Sequence, residues 1–256
     1  MRRLRGALSL LALVAAAGPG SAQTTTTPPS DPKAMAVADA VMKALGGTEA
    51  WDKTHYLKFE FAVEKDGKPL TSRLHTWDKY TGRYRLEGKT REGDPFLVLM
   101  NLNTKQGSSW LKGAKQEGED AKKALENAYG AWVNDTYWLL SPYKMKDPGV
   151  ILAYGGEEKK DGATYDKVVL TFDNVGLTPK DKYWLYVNRD TKMVDRWDYV
   201  LKGENVPPTS WAWKGWQKKG AILLAPDRIN MSQNVKISFP VLDVADSMSD
   251  TVFTTP

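Results

Sequence analysis

The 256-residue chain contains no cysteine. Disulfides, thiolate nucleophiles and thiolate metal ligands are therefore excluded. So is membrane attachment through a lipidated N-terminal cysteine. Histidine is almost as scarce, with only His55 and His75. Two isolated imidazoles, with no cysteine to join them, do not form a zinc set. No G-x-S-x-G elbow, H-E-x-x-H pair, P-loop or dinucleotide fingerprint occurs. The chemistry still open is that of scattered carboxylates, which leave no motif. Asp195, Arg196 and Asp198 read as a local charge pattern on a strand. The expectation is a protein that is not an enzyme, with no metal and no cofactor.

Long apolar runs are also missing after the first residues. The one short run spans residues 6–17, follows Arg2, Arg3 and Arg5, and ends at Gly18, Pro19 and Gly20. This is the layout of a secretory signal peptide over 1–22, cut before Gln23, and the run is too short for a membrane span. A secreted chain without cysteine suits a bacterial periplasm. Removing 1–22 takes away three arginines and no acid, and lowers the formal charge from +5 to +2. A charge that small, in mixed-sign loops, gives no footprint for nucleic acid. Residues 23–30, rich in threonine and proline, read as a flexible leader. Residues 31–256 read as a single folded unit.

Aromatic residues are plentiful: ten Trp, eleven Tyr and six Phe. Asp31 and Pro32 open a helical stripe through Met35, Ala38, Val41 and Leu45, which Gly46 and Gly47 stop. Period-two runs follow at 56–63, 69–78 and 83–87, with Asp66-Gly67 as a hairpin turn. Further strand-like runs cover 96–102 and 108–111. Residues 117–131 have weak helical periodicity. Pro142 and Pro148 argue against one helix through the crowded aromatic stretch 134–147. That stretch reads as a central crossing that plugs or lines the hollow side of a sheet. Strand-like runs then return at 149–154, 165–172, 183–187, 193–201, 211–218, 222–224, 235–239 and 241–245. About ten to twelve short strands at hairpin spacing predict a mainly β (α+β) fold: a strongly curved antiparallel sheet, barrel or sandwich. Both faces of the 183–201 hairpin carry apolar area, which predicts cover on both sides.

Several motifs carry a resemblance across nearly the whole mature chain. They are Ala44-Leu45-Gly46-Gly47 with Trp51, His75-Thr76-Trp77-Asp78, Asn134-Asp135-Thr136-Tyr137-Trp138, Asp147-Pro148-Gly149-Val150, Asp173-Asn174-Val175-Gly176-Leu177 and Asp195-Arg196-Trp197. They resemble an uncharacterised bacterial secreted family that is itself similar to the periplasmic LolA/LolB-like lipoprotein-carrier superfamily. The resemblance implies an incomplete β-barrel, with the N-terminal and mid-chain helices covering its concave side and acyl chains held inside. Trp77, Trp110, Trp138, Leu139, Tyr143, Trp184 and Trp197 are the expected cavity lining. His75 and Arg196 are the expected polar markers at its rim. The expected function is a non-catalytic periplasmic binding or carrier protein for a lipid, a lipoprotein acyl chain or another apolar molecule. The alternative is an envelope interaction or stress-sensing module of the same fold without cargo. Expected partners are the apolar ligand or lipidated protein and an envelope protein, and the chain is expected to be monomeric.

Overall fold

The computed structural model describes residues 29–173 and 175–256. The expected signal peptide and most of the expected leader lie outside the described residues. Helix α1 (Pro32–Ala44) starts where Asp31 accepts hydrogen bonds from the Lys33 and Ala34 amides. It stops because Gly46 takes a φ of 119°, and a Cβ there would stand 2.6 Å from the Ala221 carbonyl. A short α2 (Thr48–Lys53) follows.

The next six strands form a meander: β1 (Tyr56–Lys65), β2 (Lys68–Asp78), β3 (Arg83–Lys89), β4 (Pro95–Asn101), β5 (Gln106–Leu111) and the two-residue β6 (Ala114–Lys115). Asp66 and Gly67, both at positive φ, make the two-residue turn from β1 to β2. Helix α3 (Gly118–Leu140) then crosses the molecule and passes into a 3-10 turn at Ser141–Tyr143.

A second meander follows: β7 (Val150–Lys160), β8 (Ala163–Phe172), β9 (Lys182–Asn188), β10 (Val194–Val200) and β11 (Thr209–Lys214). The small hairpin β12 (Gln217–Lys219) and β13 (Ile222–Leu224) stands apart from the main sheet. Strands β14 (Asp227–Asn230), β15 (Val235–Ser238) and β16 (Leu242–Ala245), and the short α4 (Thr251–Thr254), complete the chain.

Fourteen strands join in one antiparallel sheet, ordered β6-β5-β4-β3-β2-β1-β15-β14-β11-β10-β9-β8-β7, with β16 also on β1. Strands β15 and β16 together pair along one edge of β1, at Val63↔Ile237 and Phe59↔Leu242. Pro240, which lacks an amide proton, falls in the break between them.

This corrects the expected architecture. The sheet is open and is not an incomplete barrel: its outer strands β6 and β7 do not pair with each other. Instead, each edge ends by its own means. Strand β6 is two residues long. On β7, Leu152 is met by Ser30 and Asp31, through Asp31 N to Leu152 O at 2.8 Å and Leu152 N to Ser30 Oγ at 3.0 Å. Short or covered edges need no closure. The strand count also exceeds ten to twelve, because the run at 211–218 divides into β11 and β12, and β6 and β14, of two and four residues, are too short to show a period. The helices accordingly do not line a barrel's hollow side.

The alternation of pairs places one set of side chains on one face of the sheet. Phe59 lies opposite His75, His75 opposite Leu86, and Leu86 opposite Val98. In the other half Val168 faces Leu185, Leu185 faces Trp197, Trp197 faces Trp211, and Trp213 faces Arg228. These are buried, and α1 and the second half of α3 pack on them. A smaller cluster, with Tyr84, Leu86, Val98 and Met100, lies under Ala128 of α3. The expected helix over 117–131 thus runs nine residues further. Pro142 permits this, because it removes only the bond to the Trp138 carbonyl and the helix ends at Leu140, two residues before it.

Candidate binding pocket beside helix α3

Near its C-terminal end, helix α3 presents two adjacent aromatic side chains, Tyr137 and Trp138, to the strands of the second meander. Tyr137 packs against Tyr183 at 5.2 Å, Trp197 at 5.9 Å and Phe172 at 6.3 Å between ring centroids. Trp138 meets Trp197 and Trp211 edge-on, each at 4.8 Å. Beside these rings opens a pocket of about 550 Å³. Trp132, Tyr137 and Trp138 of α3 form one wall, and Phe172, Tyr183, Trp197 and Tyr199 of β8 to β10 another. The loop at 175–178 and the turn at 147–148 close the sides. Such a volume with mostly apolar walls is typical of a small-molecule site.

Three charged residues stand in the lining. Lys144 and Asp147 pair with each other at 2.7 Å. Asp181 is buried and accepts from the Tyr183 hydroxyl at 3.2 Å and the Lys202 amide at 2.7 Å. Burial, then the nearby Asp147 and Asp181 charges, pushes the Tyr137 hydroxyl well above its ordinary range. Burial, then Tyr137 and Asp181, does the same to Tyr183. Both phenols stay protonated and serve as walls, with no role as bases.

The structure divides the predicted residues. Trp138 and Trp197 line the pocket. Leu139 lies next to it in sequence, in the core beneath α3. Tyr143 is buried at the end of the 3-10 turn, stacked on Trp51 at 4.7 Å, with its hydroxyl bridging the Leu45 and Leu223 carbonyls. Trp77 sits on the covered face but under the other half of α3, edge-on to Trp132 at 5.4 Å. Trp110 and Trp184 lie on the opposite face, across from Leu97 and from Val169 and Asp198. Arg196 is also on that face, 3.5 Å over the Tyr186 ring and paired with Glu158.

His75 is not at a rim. It is fully buried, stacked on Phe59 at 4.4 Å. Its Nε2 lies 2.9 Å from Asp135 of α3, and its Nδ1 is 2.7 Å from the Tyr84 hydroxyl. Arg73 adds a two-pronged pair to the same carboxylate, at 2.8 and 2.9 Å. Burial lowers the imidazole pKa, and Asp135 opposes this only in part. Burial works against the Asp135 charge too, but the bonds from His75 and Arg73 outweigh it and hold its pKa low. An ionised carboxylate can only accept, so Nε2 carries the proton and Nδ1 accepts from Tyr84. This network fastens α3 to β2 and β3. His75 and Asp135 are fully buried within it, and only the Arg73 side chain is partly exposed.

Sequence reading missed Tyr137, Phe172, Tyr183, Tyr199 and Asp181 as lining residues. Parity already places Tyr199 on the Trp197 side, and the pairing register adds Tyr183. What parity leaves out is which face the helix covers. Among the described residues no group of three or more His, Asp or Glu could hold a metal ion. No described helix is long and apolar enough to cross a membrane.

No family model matches the chain. No curated protein matches it either. Solved structures do share its fold. One is a DUF1329 family protein from Desulfovibrio piger, at 14% identity and a TM-score of 0.52, over 88% of this chain and 98% of that one. Another is a LolA superfamily protein from Nitrosomonas europaea, at 10% identity and a TM-score of 0.53, over 87% of this chain and 97% of that one. The similarity to LolA-superfamily structures, implied by the sequence motifs, holds at the level of the fold.

Proposed function

We propose that this chain is a non-catalytic periplasmic binding protein, exported by residues 1–22, that holds an apolar ligand in the pocket beside α3. The observation that carries this reading is the pocket of about 550 Å³ between Tyr137 and Trp138 on one side and Tyr183, Trp197 and Tyr199 on the other. A lipid or the acyl chain of a lipoprotein is the ligand class. An acyl chain needs no directional partners, and each methylene buried contributes about 0.8 kcal/mol. The likeness in fold to a LolA superfamily protein supports the same reading. The chain would act as a monomer that exchanges cargo with a lipidated or envelope protein.

The test is native mass spectrometry of protein purified from a periplasmic fraction without detergent, followed by solvent extraction. A retained mass of several hundred daltons, released as one lipid class, is the expected result. A clean apo mass, with no uptake of fluorescent fatty-acid probes, would end the cargo reading.

A further inference from the structure

The charges around the pocket do not balance. Lys144 is the one basic residue in the lining, and Asp147 at 2.7 Å neutralises it. Asp181 has no basic side chain paired with it among the described residues. Its two oxygens accept only from a phenol and a backbone amide, both neutral donors, and the residue is 4% exposed. A buried carboxylate without a counter-charge is unfavourable by itself. The other walls are aromatic: Tyr137, Trp138, Tyr183 and Trp197 surround the same space. Their π faces carry partial negative charge. A carboxylate head placed here would meet Asp181 and electron-rich rings, with no free cation to hold it. A weakly hydrated cation would meet complementary charge on every side.

Resting on the reading above, we infer that the pocket selects an apolar ligand bearing a cationic head of the quaternary-ammonium kind over an anionic one. The apolar body lies along Phe172, Val150 and Leu201, which also line the pocket. The head lies against Asp181 and the rings. A free amphiphile and a lipid can both carry such a head; the chemistry recognised is the same.

The test compares heads on one tail. Calorimetric titrations of the mature protein use n-decyltrimethylammonium, n-decyl glucoside and n-decanoate, below their micelle concentrations. Choline without a tail and a soluble short-chain phosphatidylcholine separate the free-cation and lipid sources. The expected result is at least about tenfold tighter binding of decyltrimethylammonium than of decanoate. Asp181→Asn should bring that ratio towards one, with decyl glucoside binding as the reference for any general change in the pocket. Should Asp181→Asn fail to fold, the half-exposed Asp147→Asn carries the test: it frees Lys144 and should strengthen decanoate binding. Equal or tighter binding of decanoate by the wild-type protein overturns the inference and leaves the apolar pocket standing. Binding of none of the decyl probes overturns both.

Discussion

Asp78 is a fully buried carboxylate that ends β2. Burial alone would raise its pKa, but the Thr81 hydroxyl, the Thr81 amide and the Arg83 guanidinium hold it at about 2. A carboxyl depressed on folding contributes stability above its unfolded pKa of about 3.9 and loses it as pH falls through the folded value. Denaturant titrations should therefore show unfolding free energy dropping between roughly pH 4 and 2, and Asp78→Asn should flatten that part of the curve. Arg228 is a second buried charge, and among the described residues no acidic side chain pairs with it. Helix α3 explains why it is there. The Trp138 carbonyl would normally take its bond from residue 142, which is proline and has no amide proton. Arg228 Nε supplies that bond at 3.0 Å, while Nη1 serves the Ala225 and Asp227 carbonyls and the guanidinium stacks 3.3 Å over Trp213. Burial lowers its pKa well below the ordinary arginine value. Arg228→Met leaves three carbonyls without this donor and should lower stability by about 2–4 kcal/mol, read by chemical denaturation. Nothing in the local sequence marks this arginine, because its importance depends on a proline far away in the chain.

Helix α3 is the element on which the pocket depends. Its Asp135 faces Arg73 and His75, while Tyr137 and Trp138 line the pocket. Asp135→Ala strands a buried imidazole and a guanidinium, and should destabilise the protein by about 3–5 kcal/mol. Leu139→Ala opens a cavity in the core and should reduce stability by about 2–5 kcal/mol. The two should differ in ligand binding. Asp135→Ala loosens the wall that carries Tyr137, so affinity for an apolar probe should fall with it. The aromatic stretch at 134–147 was legible in the sequence as the crossing that matters, and so was the cap at Asp31. The end of α3 was not, because weak amphipathicity at 117–131 fades before the helix does. Strand parity separated Tyr183 from Trp184 on one strand and Trp197 and Tyr199 from Arg196 on the next; the pairing register then aligned the two faces. It did not say which side was covered, since a ring on the open face can be shielded by an arginine or lysine stem, as Trp184 is by Lys182.

At the scale of the molecule, the open sheet carries two edges, and their treatment was beyond the sequence. A count of period-two runs gives strands but not their order, and closure depends on order alone. Strand β7 has eleven residues, and Ser30 and Asp31 cover it at Leu152. Removal of residues through Asp31 bares that backbone and takes the cap from α1. Such a truncation should self-associate, seen as a concentration-dependent shift in light scattering, where the full mature chain does not. The order of the sheet has one more effect. Each meander pairs neighbours in sequence, but β1 meets β15 and β16, from the far end of the chain. A nascent chain that emerges N-terminus first can complete β1 to β6 early, yet its first strand must wait with one side unpaired until the last strands arrive. The slow step of folding is then the joining of two preformed halves, and stopped-flow refolding should show a late phase that mutations at Val63 or Ile237 slow while mutations inside either hairpin series do not.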